Sequence, residues 1–231
     1  QSAVVSRYNA DTDGDQACCM HQRDDDIYAS APLRRLLDEQ TRALTPELQR
    51  CFGTHGLLLR TSANDMPPAL PMLGCWTSLR LDNGCYRGDL QAAMNEPLPF
   101  VDDAFDLVVL RHVLEVTPSA SALLNDAIRI LAPGGVLALT GVHPLSGWAP
   151  WFYWRTRGKS QTLRMPLRLG HDLRQAGLEI ERMQRVGRLW HGRETTGSTP
   201  ASAFGGGYVL IARKRRRLIA PRRIKPMPVR V

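Results

Sequence analysis

Two histidines follow predicted buried strands, and each could move a proton. His112 comes after the apolar run at residues 105–110, and His143 comes after a second run at residues 136–140. Imidazole titrates near neutral pH, so either ring could act as a general base. A packed, hydrogen-bonded histidine is the more common finding at the end of a strand, so both interpretations stay open.

Two residues directly before His112 lie at the same strand end. Leu110 could pack against a bound ring, and Arg111 could bind a carboxylate or phosphate through two parallel hydrogen bonds. A surface arginine is the alternative. Group transfer between positioned reactants needs little more than correct alignment and at most one base, which these residues could supply.

The densest aromatic cluster of the chain is interleaved with basic residues. It contains Trp148, Trp151, Phe152, Tyr153 and Trp154, followed by Arg155, Arg157 and Lys159. Such a cluster could form a lid or pocket wall over a flat or apolar substrate, with arginine for an acidic group. It could also dock on an anionic membrane or stack on single-stranded nucleic acid. A helix that closes the open edge of the domain is the fourth interpretation.

A β-α-β unit must position these groups. Residues 105–110 form a Val-rich run, typical of a strand that is buried on both faces of a parallel sheet. Residues 119–131 place their apolar side chains on one helical stripe, and the Pro-Gly-Gly at 133–135 ends that helix. Residues 136–140 form the second strand. Ligands bind at the carboxyl ends of such strands, where both histidines are expected.

The rest of the chain continues this alternation. Residues 31–48 predict a helix with Pro32 in its first turn, and residues 56–60 and 78–81 predict two further strands. Three prolines within residues 66–73 predict that the helix between those strands is short or broken. The alternation of strands and helices indicates a doubly wound α/β sheet.

The chain resembles the class I S-adenosylmethionine-dependent methyltransferases of the type 11 group over about residues 50–215. The matching segments are residues 98–100, 105–106, 129–135, 172–180 and 207–214. Residues 52–53, 141–146 and 212–215 further resemble a bacterial subgroup of this family. The resemblance implies a Rossmann-like, doubly wound, mostly parallel seven-stranded sheet with helices on both faces and an antiparallel last strand. It also implies S-adenosylmethionine as the cofactor.

The resemblance also implies which residues face the cofactor. Arg60, Thr61 and Ser62 follow the first strand, where the family has a glycine-rich loop that this chain lacks. Asp82 ends the second strand and would hold the ribose hydroxyls. The other implied contacts come from the ends of the third and fourth strands: Asp89, Leu90, Leu110 and Arg111. Asp106 is expected to be structural, because the family uses the acid there to bind backbone amides.

Composition limits the remaining possibilities. Nine of the 30 basic residues lie in residues 213–231, which contain no acid, so the net charge of +8 belongs to the tail. The Arg-rich tail could bind nucleic acid or an anionic surface. Five cysteines without paired spacing, no signal peptide and no long apolar run predict a cytoplasmic protein. No metal site is predicted, because Cys18, Cys19 and His21 lack a second ligand pair and the acidic run at 11–15 lacks the spacing of a calcium loop.

These observations predict three regions and two alternative functions. The regions are a disordered segment at 1–27, a methyltransferase-like domain at 28–213 with an aromatic and basic insertion at 144–170, and a basic tail at 214–231. The first function is methyl transfer to a small-molecule or RNA-associated acceptor, with His112 or His143 as base. The second is a catalytically inactive binding or regulatory module that contacts partners or nucleic acid through the insertion and tail. The oligomeric state is not predicted.

Overall fold

The computed structural model describes residues 27–63, 65–82, 84–157, 161–187 and 205–216. After a short 3-10 turn at Ile27–Ala29, the elements are α1 (Ala31–Leu48), β1 (Gly53–Arg60), β2 (Leu73–Asp82), β3 (Cys85–Gly88), β4 (Gln91–Ala93), β5 (Phe105–Arg111), α2 (Val113–Val116), α3 (Ala120–Ile130), β6 (Leu131–Val142), α4 (Trp148–Arg155), α5 (Pro166–Gln175), β7 (Leu178–Val186) and β8 (Gly207–Lys214). Residues 1–26, including the candidate metal ligands, and the tail beyond residue 216 lie outside the described residues.

All eight strands form one sheet, in the order β4-β3-β2-β1-β5-β6-β8-β7. The four central strands, β2, β1, β5 and β6, are parallel. Strand β8 runs antiparallel to both β6 and β7. The predicted Rossmann-like α/β fold with an antiparallel last strand is therefore confirmed.

Both faces of the central strands are covered, because successive side chains of a strand point to opposite faces. Leu57 and Leu59 pack in the same cluster as side chains of α3 and α5, including Leu123 and Leu173. Leu58 packs in a second cluster with Leu44 and Leu48 of α1. Burial on both faces explains why the sequences of these strands are continuous apolar runs.

The edge of the sheet beyond β2 differs from the predicted seven-stranded arrangement. Strands β2 and β3 form an antiparallel hairpin in which Asp82 pairs with Cys85, and β3 pairs antiparallel with β4. The sheet therefore has eight described strands, and the third one is not parallel. The sequence carries the signal for this hairpin, since Asn-Gly at 83–84 is the strongest short hairpin motif.

Two smaller expectations are also confirmed. No helix occurs in the described part of the connection from β1 to β2, residues 61–63 and 65–72, as its prolines predict. Asp106 is structural, because its Oδ2 accepts hydrogen bonds from the backbone amides of Thr54 at 2.7 Å and His55 at 3.3 Å.

Among the described residues, no helix is long and apolar enough to cross a bilayer.

Candidate functional site

A row of polar side chains crosses the carboxyl edge of the parallel strands. The strand register places Arg80, Arg60, Arg111 and Thr140 side by side on β2, β1, β5 and β6. In the described part of the chain, three buried atoms of this row have no hydrogen-bond partner: Nε of Arg60, Nε of Arg111 and Oγ1 of Thr140. Unpaired buried polar atoms are costly, so this edge has unused capacity for a polar ligand.

A buried ion pair holds the loop that follows β1 against this row of polar side chains. Nη1 of Arg111 lies 2.7 Å from Oδ1 of Asp65, and both side chains are less than a tenth exposed. Arg60 fixes the same loop by donating to the carbonyl oxygens of Ala63 at 2.9 Å and of Asp65 at 2.6 Å. Burial raises the pKa of the Asp65 carboxyl, and the Arg111 guanidinium opposes that rise. Burial likewise lowers the pKa of Arg111.

His112 lies beside this pair but is fully buried within a separate polar network. Its Nδ1 lies 3.0 Å from Oε2 of Glu115, and its Nε2 lies 2.8 Å from Oε1 of Gln40. The Glu115 carboxylate also accepts hydrogen bonds from the Tyr28 hydroxyl at 2.8 Å and from the Val142 amide. His112 has left-handed backbone geometry, with φ 57°, between β5 and α2.

The partners of His112 determine which of its nitrogens carry protons. The Nε2 group of Gln40 donates to the carbonyl oxygens of Gly141 at 3.0 Å and Tyr208 at 3.3 Å, which fixes the orientation of the amide. The amide oxygen therefore faces the imidazole, whose Nε2 must donate to it. Nδ1 faces the Glu115 carboxyl group, so both ring nitrogens have buried hydrogen-bond partners. In this arrangement His112 has no free nitrogen to accept a proton, which favours a positioning role.

His143 lies at the end of β6 and is also buried. Its Nδ1 accepts a hydrogen bond from the Leu145 amide at 3.1 Å, so the proton of the neutral ring resides on Nε2. Burial, and secondarily the Arg185 charge, lower the pKa of His143. The base roles of His112 and His143 stay predictions, and neither ring offers a free acceptor nitrogen in this state.

Asp82 and Asp89, the two acidic residues predicted to contact the cofactor, lie at different positions along the direction of β2. Asp82 is at the carboxyl end of β2, half-buried, with Oδ2 2.7 Å from Nη2 of Arg80. Asp89 lies further from that edge, because it pairs with Ser78, whose amide donates to Oδ2 of Asp89 at 2.7 Å. Ser78 is itself two residues before Arg80 along β2. The predicted ribose role of Asp82 suits its place, whereas the carboxylate of Asp89 is already used in the hairpin.

The remaining predicted cofactor residues surround the row. Ser62 is buried and Thr61 is half-buried in the loop after β1. Leu110 is buried in the core cluster on the α3 face, and Leu90 is half-buried against the same cluster. Their cofactor roles stay predictions.

The insertion is divided between the core and the surface. Trp148 and Phe152 of α4 are buried in a cluster with Leu33 and Leu36 of α1, and Trp151 packs against that cluster. This contact agrees with the interpretation that the helix closes the edge of the domain. Tyr153, Trp154 and Arg155 are exposed.

A groove lies between the β3–β4 hairpin and the start of α3. It has a volume of about 600 Å³ and a mainly apolar exposed surface, and its lining includes Tyr86, Met94, Leu98, Ala122 and Leu123 together with Asp126 and Arg129. This volume is in the range of small-molecule sites. Residues 117–119, which follow α2 beyond the carboxyl end of β5, form part of the lining of this groove.

Sequence reasoning missed three residues of this site: Gln40, Glu115 and Tyr28. Gln40 had a detectable signal, because it interrupts the apolar stripe of Leu33, Leu36, Leu37 and Leu44 on α1. Glu115 follows His112 by three residues, the spacing of a helical pair. Tyr28 had no comparable local signal, whereas Asp65 lies in the glycine-free loop after β1, where the resemblance implies the cofactor site.

Comparisons with known proteins agree with this geometry. A family model described as "Methyltransferase domain" matches residues 77–139, which include β5, α3 and most of β6. The resemblance to class I methyltransferases is confirmed.

Individual relatives of this methyltransferase-like chain support the same fold. A 56-residue segment is 38% identical to phthiotriol/phenolphthiotriol dimycocerosates methyltransferase 1 of Mycobacterium ulcerans (strain Agy99) and spans 24% of this chain and 21% of that protein. A chain from the complex of the Haloferax volcanii Trm112 methyltransferase activator with a methyltransferase has a TM-score of 0.52 at 14% identity, over 80% of this chain and 93% of that one. A Bacillus halodurans C-125 methyltransferase has a TM-score of 0.50 at 17% identity, over 75% and 98% of the two chains.

The donor that this family implies is an amino acid joined to a nucleoside. Arg111 and Asp65 carry the two charges that complement the carboxylate and ammonium of an α-amino acid. The unpaired Nε atoms of Arg60 and Arg111 could donate to such a carboxylate. The residues present therefore fit the chemistry of S-adenosylmethionine, although no glycine cradle is available.

Proposed function

We propose that the chain is an S-adenosylmethionine-dependent methyltransferase that binds the amino-acid end of its donor by opening the ion pair between Asp65 and Arg111. The observation that carries this proposal is the buried pair itself, beside the unpaired Nε atoms of the arginine row. Arg111 would hold the donor carboxylate and Asp65 the donor ammonium. Asp82 would accept hydrogen bonds from the ribose hydroxyls.

When bound, S-adenosylmethionine supplies a methyl group on a positively charged sulfur. The chain's own contribution is to align the acceptor and to exclude water, which suffices for transfer to an acceptor that is already nucleophilic. His112 and Glu115 hold α1 and the ends of β5 and β6 together through Gln40 and Val142. That network keeps the arginine row in place, so we assign His112 a positioning role.

The groove beside α3 supports a small-molecule acceptor over an RNA-associated one. Its lining is mainly apolar, whereas an RNA site would need basic side chains along a backbone track. Replacing the exposed Ala122 with Trp should fill the groove. We expect Ala122→Trp to leave donor affinity unchanged, and equal binding of apolar candidate acceptors by this variant and the wild type would exclude the groove.

Calorimetric titration of the full chain tests the donor assignment. S-adenosylhomocysteine contains the amino-acid end and 5′-methylthioadenosine lacks it, so the wild type should bind the first more tightly. The double variant Asp65→Asn/Arg111→Gln removes both charges of the pair, so that no single charge stays buried without its partner. In this variant the preference for S-adenosylhomocysteine should fall by about 10- to 100-fold. The matched control is Glu47→Gln/Arg50→Gln, which neutralises a surface ion pair and should keep the preference.

A second candidate function depends on the same ion pair. Asp65 already satisfies Arg111, and the first loop lacks glycine, so the chain could be a binding module without a donor. Absence of heat from either nucleoside at millimolar concentration would favour this module and contradict the enzymatic proposal. An unchanged preference in Asp65→Asn/Arg111→Gln would contradict the assigned residues while leaving donor binding intact.

A further inference from the structure

The charged side chains of the insertion at residues 144–170 are all basic. It contains five basic residues and no acidic one, and the nearest acids along the chain are Asp126 and Asp172. The basic residues are Arg155, Arg157, Lys159, Arg164 and Arg168. A segment of this composition attracts anionic surfaces.

Part of this insertion is exposed to solvent. Helix α4 buries Trp148, Ala149 and Phe152 against the α1 side of the molecule. The next side chains point away: Trp154 is 57% exposed and Tyr153 is 46% exposed. The contact needed to close the domain edge is therefore made by one side of α4, and it leaves a large indole in solvent.

Two exposed aliphatic side chains precede and follow α4 along the chain. Leu145, three residues before α4, is 70% exposed, and Leu167, in the first turn of α5, is 69% exposed. The Leu163 amide donates to the Tyr153 hydroxyl at 3.3 Å, which brings the segment that leads into α5 alongside α4. Exposed arginines accompany both elements, namely Arg155 and Arg168.

We propose that Leu145, Tyr153, Trp154, Arg155, Leu167 and Arg168 form an insertion face that docks on the interface of an anionic lipid bilayer. Aromatic rings prefer the headgroup level, and arginine is attracted to acidic headgroups. Exposed leucines gain from insertion between acyl chains, whereas stacking on nucleic acid makes no use of them. The combination of aliphatic, aromatic and basic side chains therefore favours lipid over nucleic acid.

The insertion face also has a defined place in the fold. It directly follows β6, whose carboxyl end holds His143. Docking would thus bring the carboxyl edge of the sheet close to the membrane surface. This inference does not depend on donor binding, and the two proposals can fail separately.

Co-sedimentation of the full chain with vesicles tests the insertion face. One set of vesicles is phosphatidylcholine alone, and the other is phosphatidylcholine mixed with phosphatidylglycerol. Trp154→Ala/Arg155→Gln should lower the partition coefficient on the mixed vesicles by about tenfold or more, since one interfacial arginine alone contributes roughly fivefold. Leu167→Gln/Arg168→Gln provides a second, independent variant on α5.

The matched control is Phe52→Ala/Arg50→Gln. It removes one exposed aromatic ring and one exposed arginine beside the amino end of β1, at the opposite edge of the sheet. We expect this variant to bind like the wild type. Equal losses in control and test variants would overturn the proposal, as would binding that disappears only when residues 217–231 are removed. Loss of single-stranded oligonucleotide binding without loss of vesicle binding would assign the face to nucleic acid instead.

Discussion

Glu115→Gln is the sharpest test of the buried network around His112. The Glu115 side chain is 1% exposed and accepts hydrogen bonds from Tyr28, His112 and Val142. Glutamine has nearly the same shape, but only one of its two terminal atoms can accept. Its amino group must therefore face at least one of these donors, which leaves that donor without an acceptor.

The expected cost follows from this burial. Leaving a buried donor without an acceptor typically costs about 1–3 kcal/mol, a large part of the roughly 5–15 kcal/mol that stabilises a domain. We expect the urea midpoint to fall steeply in Glu115→Gln. Glu47→Gln serves as the control, because Glu47 pairs with Arg50 and Arg182 at the surface and should lose about 1 kcal/mol or less.

Equilibrium urea unfolding, followed by circular dichroism, measures both variants. Adding His112→Gln to Glu115→Gln should recover part of the loss, because the imidazole nitrogen that faced residue 115 is removed. A loss in Glu115→Gln no greater than in Glu47→Gln would refute the assignment of Glu115 as the acceptor at the centre of a buried hydrogen-bond network.

Three further predictions concern neighbouring groups. The pKa of His143 is lowered in the folded state, so at pH values between the lowered and the ordinary pKa the unfolded chain binds more protons and the free energy of unfolding rises with pH. The slope is at most about 1.4 kcal/mol per pH unit. Unfolding curves measured across this pH window should show the slope in the wild type and not in His143→Asn. Asp106→Asn should cost about 1–3 kcal/mol of unfolding free energy, because the Thr54 amide loses its charged acceptor, and calorimetry should show unchanged donor affinity. Nitrogen NMR of the His112 ring should show that both nitrogens are hydrogen-bonded, and a ring nitrogen without a hydrogen bond would contradict the described network.

Local sequence signals predicted the elements that depend on local chemistry. Helix α1 has its predicted bounds, because Pro32 marks its first turn and an apolar stripe runs along its length. Strand β5 and helix α3 agree to within a residue, since a buried Val-rich run and a 3.6-residue stripe are clear periodic patterns. The structural role of Asp106 was predictable because the resembling family uses the acid at that strand in the same way.

The hairpin was not predicted although the sequence carries a local signal for it, and the site network depends on contacts that no local pattern supplies. The family resemblance implied a mostly parallel sheet, whereas the Asn-Gly at residues 83–84 is typical of the antiparallel hairpin that the structure contains. The Cβ that any other residue would place at 88 lies 2.0 Å from the Ser78 carbonyl oxygen, which shows how closely the returning strand approaches β2. Gln40 and His112 meet across 72 residues of chain, a pairing set by the docking of α1 on the sheet.

A structure determined in the presence of S-adenosylhomocysteine tests the donor assignment most directly. We predict that the ligand carboxylate lies within hydrogen-bonding distance of the Arg111 guanidinium and that the Asp65 carboxylate has turned to the ligand ammonium. An intact Asp65–Arg111 contact at 2.7 Å, with no nucleoside at the carboxyl ends of β1 and β5, would contradict it.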